Sequence, residues 1–130
     1  MVHLVYCDNT GKSGERVIDR IIAGKKTMVV RGAAGRKIPH SRVNVGERLY
    51  FMEKGSAKVT ATAVVSDVQN YQKLSENEII ELFSKNRNKL ALTEKQELRW
   101  HKKFLVFVEF FEVELIDPPL AFEKEANMDD

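Results

Sequence analysis

Between Ala57 and Val68 the chain alternates with a period of two. Ala57, Val59, Ala61, Ala63 and Val65 fall on one side, and Lys58, Thr60, Thr62, Val64 and Ser66 on the other. That period belongs to a strand, and its length makes it one of the long strands of a sheet. One of its faces is small and apolar, so it must pack closely against something. Phe104 to Leu115 is the last and most apolar strand. Its first part, Phe104 to Val108, is apolar on both faces and therefore central and covered. Around these two, Val2 to Tyr6, Thr27 to Val30 and Leu49 to Met52 read as shorter strands. Glu15 to Ala23 reads as a helix, with Val17, Ile18, Ile21 and Ile22 on one face and Ser13 as its cap. Two later helices open on capping boxes, Ser75-Glu76-Asn77-Glu78 and Thr93-Glu94-Lys95-Gln96. The helices are inserts between strands rather than strict alternations. This predicts an α+β domain or a small closed barrel flanked by helices, not a doubly wound sheet.

A chain of 130 residues fits one domain, 1–130, with a polar tail from about Pro118. No apolar run approaches the ~20 residues of a membrane span. The start, Met-Val-His-Leu-Val-Tyr-Cys, lacks the features of a signal peptide. Cys7 is the sole cysteine, which excludes an internal disulfide and makes a reducing cytoplasm the simplest compartment. The formal charge is only +2, but it is segregated. Arg20, Lys25, Lys26, Arg31, Arg36, Lys37 and Arg42 occur between Arg20 and Gly46 with no acidic residue among them. From Phe104 onward, acidic residues face Lys124 alone. Such a dipole either attracts phosphate-bearing partners or is neutralised within the fold.

The basic segment has a corner. Gly24 can stop the first helix in a left-handed conformation, and Lys25 and Lys26 then lead into the β-branched strand that ends at Arg31. Cations fencing a short buried strand can hold an anion or a polar planar ligand, or can simply be solvated strand ends. In a regular strand Thr27, Val29 and Arg31 share one face and Lys26 lies on the other. For Lys26 and Arg31 to meet one ligand, the turn at Gly24 must rotate Lys26 inward. Gly32-Ala33-Ala34-Gly35 followed by Arg36-Lys37 reads as a small-residue basic loop, without the Gly-Lys-Ser/Thr of a P-loop. Trp100, Tyr50 and Tyr71 are candidates for stacking on a base. Cys7 lacks a fixed base, since His3 and His40 are not tied to it, and His101 reads as a helix C-terminal cation. The histidines and the cysteine have no metal-ligand spacing, and no motif calls for a cofactor.

Gly24, Lys26 and Arg31 match the Gly-x-Lys-x-x-Glu-x-Arg signature of the ASCH domain, and the segment resembles that family, with Val29 in place of the Glu. Val45-Gly46-Glu47-Arg48-Leu49 is similar to the start of a strand common in these domains, and the order of elements from Gly14 to Leu115 agrees. The resemblance implies a PUA-like β-barrel with a cleft beside the motif, and recognition of RNA or of a nucleoside or nucleotide. Gly24, Lys25, Lys26, Arg31, Arg36, Lys37 and Arg42 would then form the binding face. The chain also resembles the small bacterial amidohydrolases that deacetylate N4-acetylcytidine. In those a Lys, a Thr nucleophile and a Glu carry the reaction. Lys26 matches the Lys, and Leu92-Thr93-Glu94 matches a Leu-Thr-Glu run, so that Glu94 is the candidate carboxylate. The Thr position is Val29, which has no hydroxyl, so catalysis is left open. The expectation is therefore an RNA- or modified-nucleoside-binding domain in the cytoplasm. The alternatives are an amidohydrolase working through Lys26 and Glu94, and a protein-interaction module whose charged ends bind partners or pair with a second copy.

Overall fold

A computed structural model describes residues 2–33, 43–56 and 58–121. Within them the elements run β1 (Val2–Cys7), α1 (Val17–Ile22), β2 (Met28–Ala33), β3 (Arg48–Glu53), β4 (Lys58–Tyr71), α2 (Glu76–Leu90), α3 (Glu94–Arg99) and β5 (Phe104–Ala121). The strands form one five-stranded sheet in the order β1-β3-β4-β5-β2. β1 and β3 are parallel, and every other neighbouring pair is antiparallel. This is the α+β architecture that the pattern predicts. The barrel is incomplete, because β1 and β2 stand at the two ends of the sheet and share no backbone ladder. No helix among the described residues is long and apolar enough to cross a membrane.

The central strand explains the two-sided core. In β5, Val106, Val108 and Phe110 pack on one face of the sheet with Ile18 and Ile21 of α1. The alternate residues Leu105 and Phe107 pack on the other face with Ile79, Phe83 and Leu90 of α2. Strand β2 divides the same way, with Val29 in the first cluster and Met28 and Val30 in the second. The small face of β4, from Val59 through Ala61 and Ala63 to Val65, is buried. Phe51 of β3, opposite Ala61 in the same sheet, is 0% exposed and packs in one cluster with Ala61 and Ala63.

Both later helices start where their boxes predict. The Ser75 hydroxyl accepts from the Glu78 amide at 3.2 Å, and the Glu78 carboxylate accepts from the Ser75 amide at 2.8 Å. Thr93 and Gln96 make the same exchange at 3.2 and 3.1 Å. The first helix differs. It begins at Val17, and Ser13 does not cap it. Instead Asp19 reaches back, accepting from the amides of Gly14 at 2.8 Å and Arg16 at 3.1 Å. A carboxylate three residues into a helix answers its positive end better than a hydroxyl outside it.

Strand ends also differ from expectation. Gly32 and Ala33 belong to β2 rather than to a loop, since they pair with Leu105 and Phe104. A Cβ at Gly32 would lie 2.7 Å from Leu105 Cδ2 and 2.9 Å from the Phe104 carbonyl oxygen, so glycine is required by close approach. Strand β5 runs past the two prolines to Ala121 instead of yielding to a tail at 118. The register with β4 skips from Ala61–Leu115 to Val59–Leu120, so Pro118 and Pro119 fall where no ladder amide is needed.

Candidate functional site

The corner at Gly24 sets the geometry of the site. Gly24 adopts φ 78°, and the amides of Lys25 and Lys26 both turn back onto the Arg20 carbonyl, at 2.9 and 3.0 Å. That tight return ends α1 and delays the start of regular strand until Met28. Lys26 therefore escapes the alternation of β2 and points inward. It lines a cavity of about 440 Å3 together with Val29 and Arg31. A volume of this size suits one nucleoside-sized molecule. Lys25 is exposed and does not line it.

The cavity lies where β1 and β2 fail to pair. Val5, Tyr6 and Cys7 form one wall, Val29 and Arg31 the facing one, and Leu92, Gln96 and Trp100 close it from the helical side. Arg31 bridges the gap. Its Nη2 donates to the Tyr6 carbonyl at 2.8 Å, its Nη1 to the Val30 carbonyl at 2.7 Å, and its guanidinium sits 5.3 Å from the Trp100 ring centroid. A side chain thus joins the two ends of the sheet where backbone hydrogen bonds do not.

Lys26 is 3% exposed, and its Nζ donates to the Leu90 carbonyl at 2.6 Å. Arg20 Nη1 donates to the next carbonyl, that of Ala91, at 2.6 Å. Two cations therefore satisfy the carbonyls that end α2, where the helix dipole favours positive charge. Ala91 itself is left-handed, at φ 47°. Burial nevertheless pulls the Lys26 amine down to about 7, aided by the nearby charges of Arg31 and Arg20 and opposed by Cys7. Near neutral pH this amine exchanges a proton readily, which makes it both a donor and a weak base. Burial pushes the Cys7 thiol the other way, up to about 11, against the pull of Arg31 and Lys26. At that value the thiol is a poor nucleophile.

Among the described residues, Asp8 is the one carboxylate lining the cavity. Partial burial acts to raise its pKa, but hydrogen bonds from Gln96 and Thr10 outweigh burial and hold it below the ordinary value. Gln96 Nε2 donates to Asp8 Oδ2 at 3.3 Å, while Gln96 Oε1 accepts from Arg20 Nη2 at 3.3 Å. One glutamine thereby ties α3 to α1 and to Asp8, the residue that follows β1. The cavity combines a buried amine, an ionised carboxylate, a guanidinium and an indole within mainly apolar walls. That set can hydrogen-bond a planar polar ligand on more than one edge.

Not every residue singled out in the sequence reaches this site. Arg36, Lys37, Arg42 and His40 lie outside the described residues. Glu94 is exposed on the first turn of α3 and does not line the cavity, so the pairing of Lys26 with Glu94 is not made. The capping box explains why: its third helical position, Gln96, folds back inward, and its first faces water. Tyr50 and Tyr71 are not lining residues either. Tyr50 packs beside Met52 and Val59, and Tyr71 sits edge-on to Phe107 at 5.9 Å. Trp100 does reach the site. His3 hydrogen-bonds Glu47 at 2.8 Å, and His101 packs on Phe83 at 4.8 Å. Among the described residues no cluster of His, Cys, Asp and Glu could hold a metal ion. Sequence reasoning missed Asp8, Lys54, Gln96 and Arg99. The N3 position of Gln96 in its capping box was the available signal for that residue.

No protein-family model matches the chain, and no curated protein is similar to it in sequence. Solved structures do match. The ASCH protein of Zymomonas mobilis superposes with a TM-score of 0.63 at 17% identity, over 92% of this chain and 71% of that one. A tyrosine-to-phenylalanine variant of the same protein gives 0.63 at 16% identity, covering 92% and 73%. The chain has the α+β fold of that ASCH protein, with its ladder open between β1 and β2.

Proposed function

We propose that this chain is a binding domain for RNA or a modified nucleoside, and that a single base enters the cavity between β1 and β2. The observation that carries this reading is the inward turn of Lys26. A buried amine costs stability unless something gains from it, and here it shares a nucleoside-sized cavity with Asp8, Arg31 and Trp100. Hydrogen bonds to base edges and aromatic contact are how single-stranded nucleic acid is commonly read. The basic segment containing Lys25 adds a field that favours phosphate-bearing chains. Titration of short RNAs and free nucleosides, followed by Trp100 fluorescence, tests the reading. Saturable binding is expected, lost in Lys26→Met; absence of binding by every nucleoside and every RNA refutes it.

One observation favours a second reading. The Lys26 amine, brought to about 7, is suited to act as a general base. Among the described residues no serine or threonine lines the cavity, and Val29 stands where a nucleophilic threonine would be needed. An amidohydrolase built on this site must therefore activate water, with Asp8 rather than Glu94 as the nearby carboxylate. Release of cytidine from N4-acetylcytidine, abolished in Lys26→Met, would establish it. No release with excess protein would exclude it.

A further inference from the structure

We propose that Lys54 and Arg99 form a phosphate subsite at the mouth of the cavity, so that its ligand is a phosphorylated nucleotide rather than a free nucleoside. This rests on the base-binding reading above. The two cations come from different walls. Lys54 opens the turn between β3 and β4, and Arg99 ends α3; both are exposed, and both line the cavity.

Their state of pairing separates them from Lys26 and Arg31, the other two cations of the described lining. Arg16 is paired with Glu53, Arg87 with Glu97 and Lys89 with Glu109. Arg20, Lys26 and Arg31 are held by backbone carbonyls. Among the described residues, the side chains of Lys54 and Arg99 have neither a hydrogen bond nor an ion pair. The backbone beneath Lys54 is nonetheless fixed. Its amide donates to the Cys7 carbonyl at 2.9 Å, and its carbonyl accepts from Asn9 Nδ2 at 2.9 Å.

Two unpartnered cations at the opening, with Arg31 behind them, concentrate positive potential at the mouth. Among the described residues Asp8 is the one carboxylate of the lining, and it forms no salt bridge with any of them. Its polar partners are Thr10 and Gln96, and Arg99 acts on it only through space. The described lining thus carries four cations, Lys26, Arg31, Lys54 and Arg99, against one carboxylate. A nucleotide answers that excess of positive charge with its phosphoryl group, while donors on its base can meet Asp8. A free nucleoside would leave the outer cations without a counter-charge.

The test compares adenosine, cytidine, guanosine and uridine with their 5′-monophosphates by calorimetric titration. It uses the full chain and its Lys54→Ala and Arg99→Ala variants, at about 50 and 200 mM salt. At least one monophosphate is expected to bind about tenfold or more tighter than its nucleoside, as one charge-assisted contact allows. That advantage should shrink in each variant and at the higher salt. Equal affinity for nucleoside and monophosphate, or an advantage that survives in both variants, overturns the subsite while leaving the base-binding reading intact. Binding of neither class overturns both.

Discussion

Replacing Lys26 with methionine should change stability in a direction that depends on pH. Methionine has similar length and no charge, so it keeps the packing and removes the amine. The wild-type amine falls from 10.5 to about 7 on folding, because burial and then the charge of Arg31 disfavour its protonated form. Between those two values the unfolded chain binds more protons than the folded one, so stability rises with pH across that window. At ~1.4 kcal/mol for each pH unit, the burial of charge costs the native state ~5 kcal/mol below pH ~7. The same linkage leaves a cost of ~2 kcal/mol at pH ~9 and almost nothing above pH ~11. Against this, methionine abandons the Leu90 carbonyl, at a cost of ~1–3 kcal/mol at every pH. Lys26→Met should therefore be the more stable protein at pH ~6 and the less stable one at pH ~10. Urea unfolding of both proteins at matched ionic strength, in steps from pH ~6 to ~10, measures the difference directly. A swing of about 2 kcal/mol in favour of wild type is expected between pH ~7 and ~9. If the difference is flat with pH, and the variant is simply weaker throughout, then Lys26 is a cap for α2 and the argument from its burial is wrong.

Three other perturbations probe the rest of the fold. Gly32→Ala should destabilise by ~1–3 kcal/mol, because its methyl meets Leu105 and the Phe104 carbonyl; a melting temperature equal to wild type would contradict that close approach. Glu47 is half-buried, and the hydrogen bond from His3 and the Asn44 amide draw it from 4.5 to about 2. Its contribution is complete above the unfolded value and is lost as pH falls toward about 2. Glu47→Gln should therefore flatten the acid limb of the stability curve over that range, and an unchanged limb would count against the His3 contact. Arg31→Lys keeps a charge but loses the planar fork that reaches the Tyr6 carbonyl. Hydrogen exchange in β1 and β2 should quicken, and protection equal to wild type would mean that the bridge holds nothing together.

Elements governed by local chemistry were readable in advance. The two capping boxes, the left-handed turn at Gly24, the alternation in β4 and the covered start of β5 each depend on neighbours within a few residues. The site was only half readable. Lys26 and Arg31 were visible as candidates, but in a regular strand they would diverge. Only the double return of amides onto the Arg20 carbonyl turns Lys26 inward. Asp8 and Gln96 are 88 positions apart and meet because β1 lies in parallel beside β3 while α3 folds over the gap. No periodicity encodes such a meeting. Glu94 misled for the complementary reason: matching letters do not say which side of a short helix faces the interior.

The bridge made by Arg31 has a consequence for how such a protein can diversify. A fully laddered barrel has little room for novelty in its wall, because each exchange disturbs paired main-chain atoms. Here the wall is left unstitched at one line, and what spans it is a replaceable guanidinium. Residues along that line can be traded for others with different chemical tastes while the remaining ladders stay whole, so preference for one guest over another can shift without the scaffold being rebuilt.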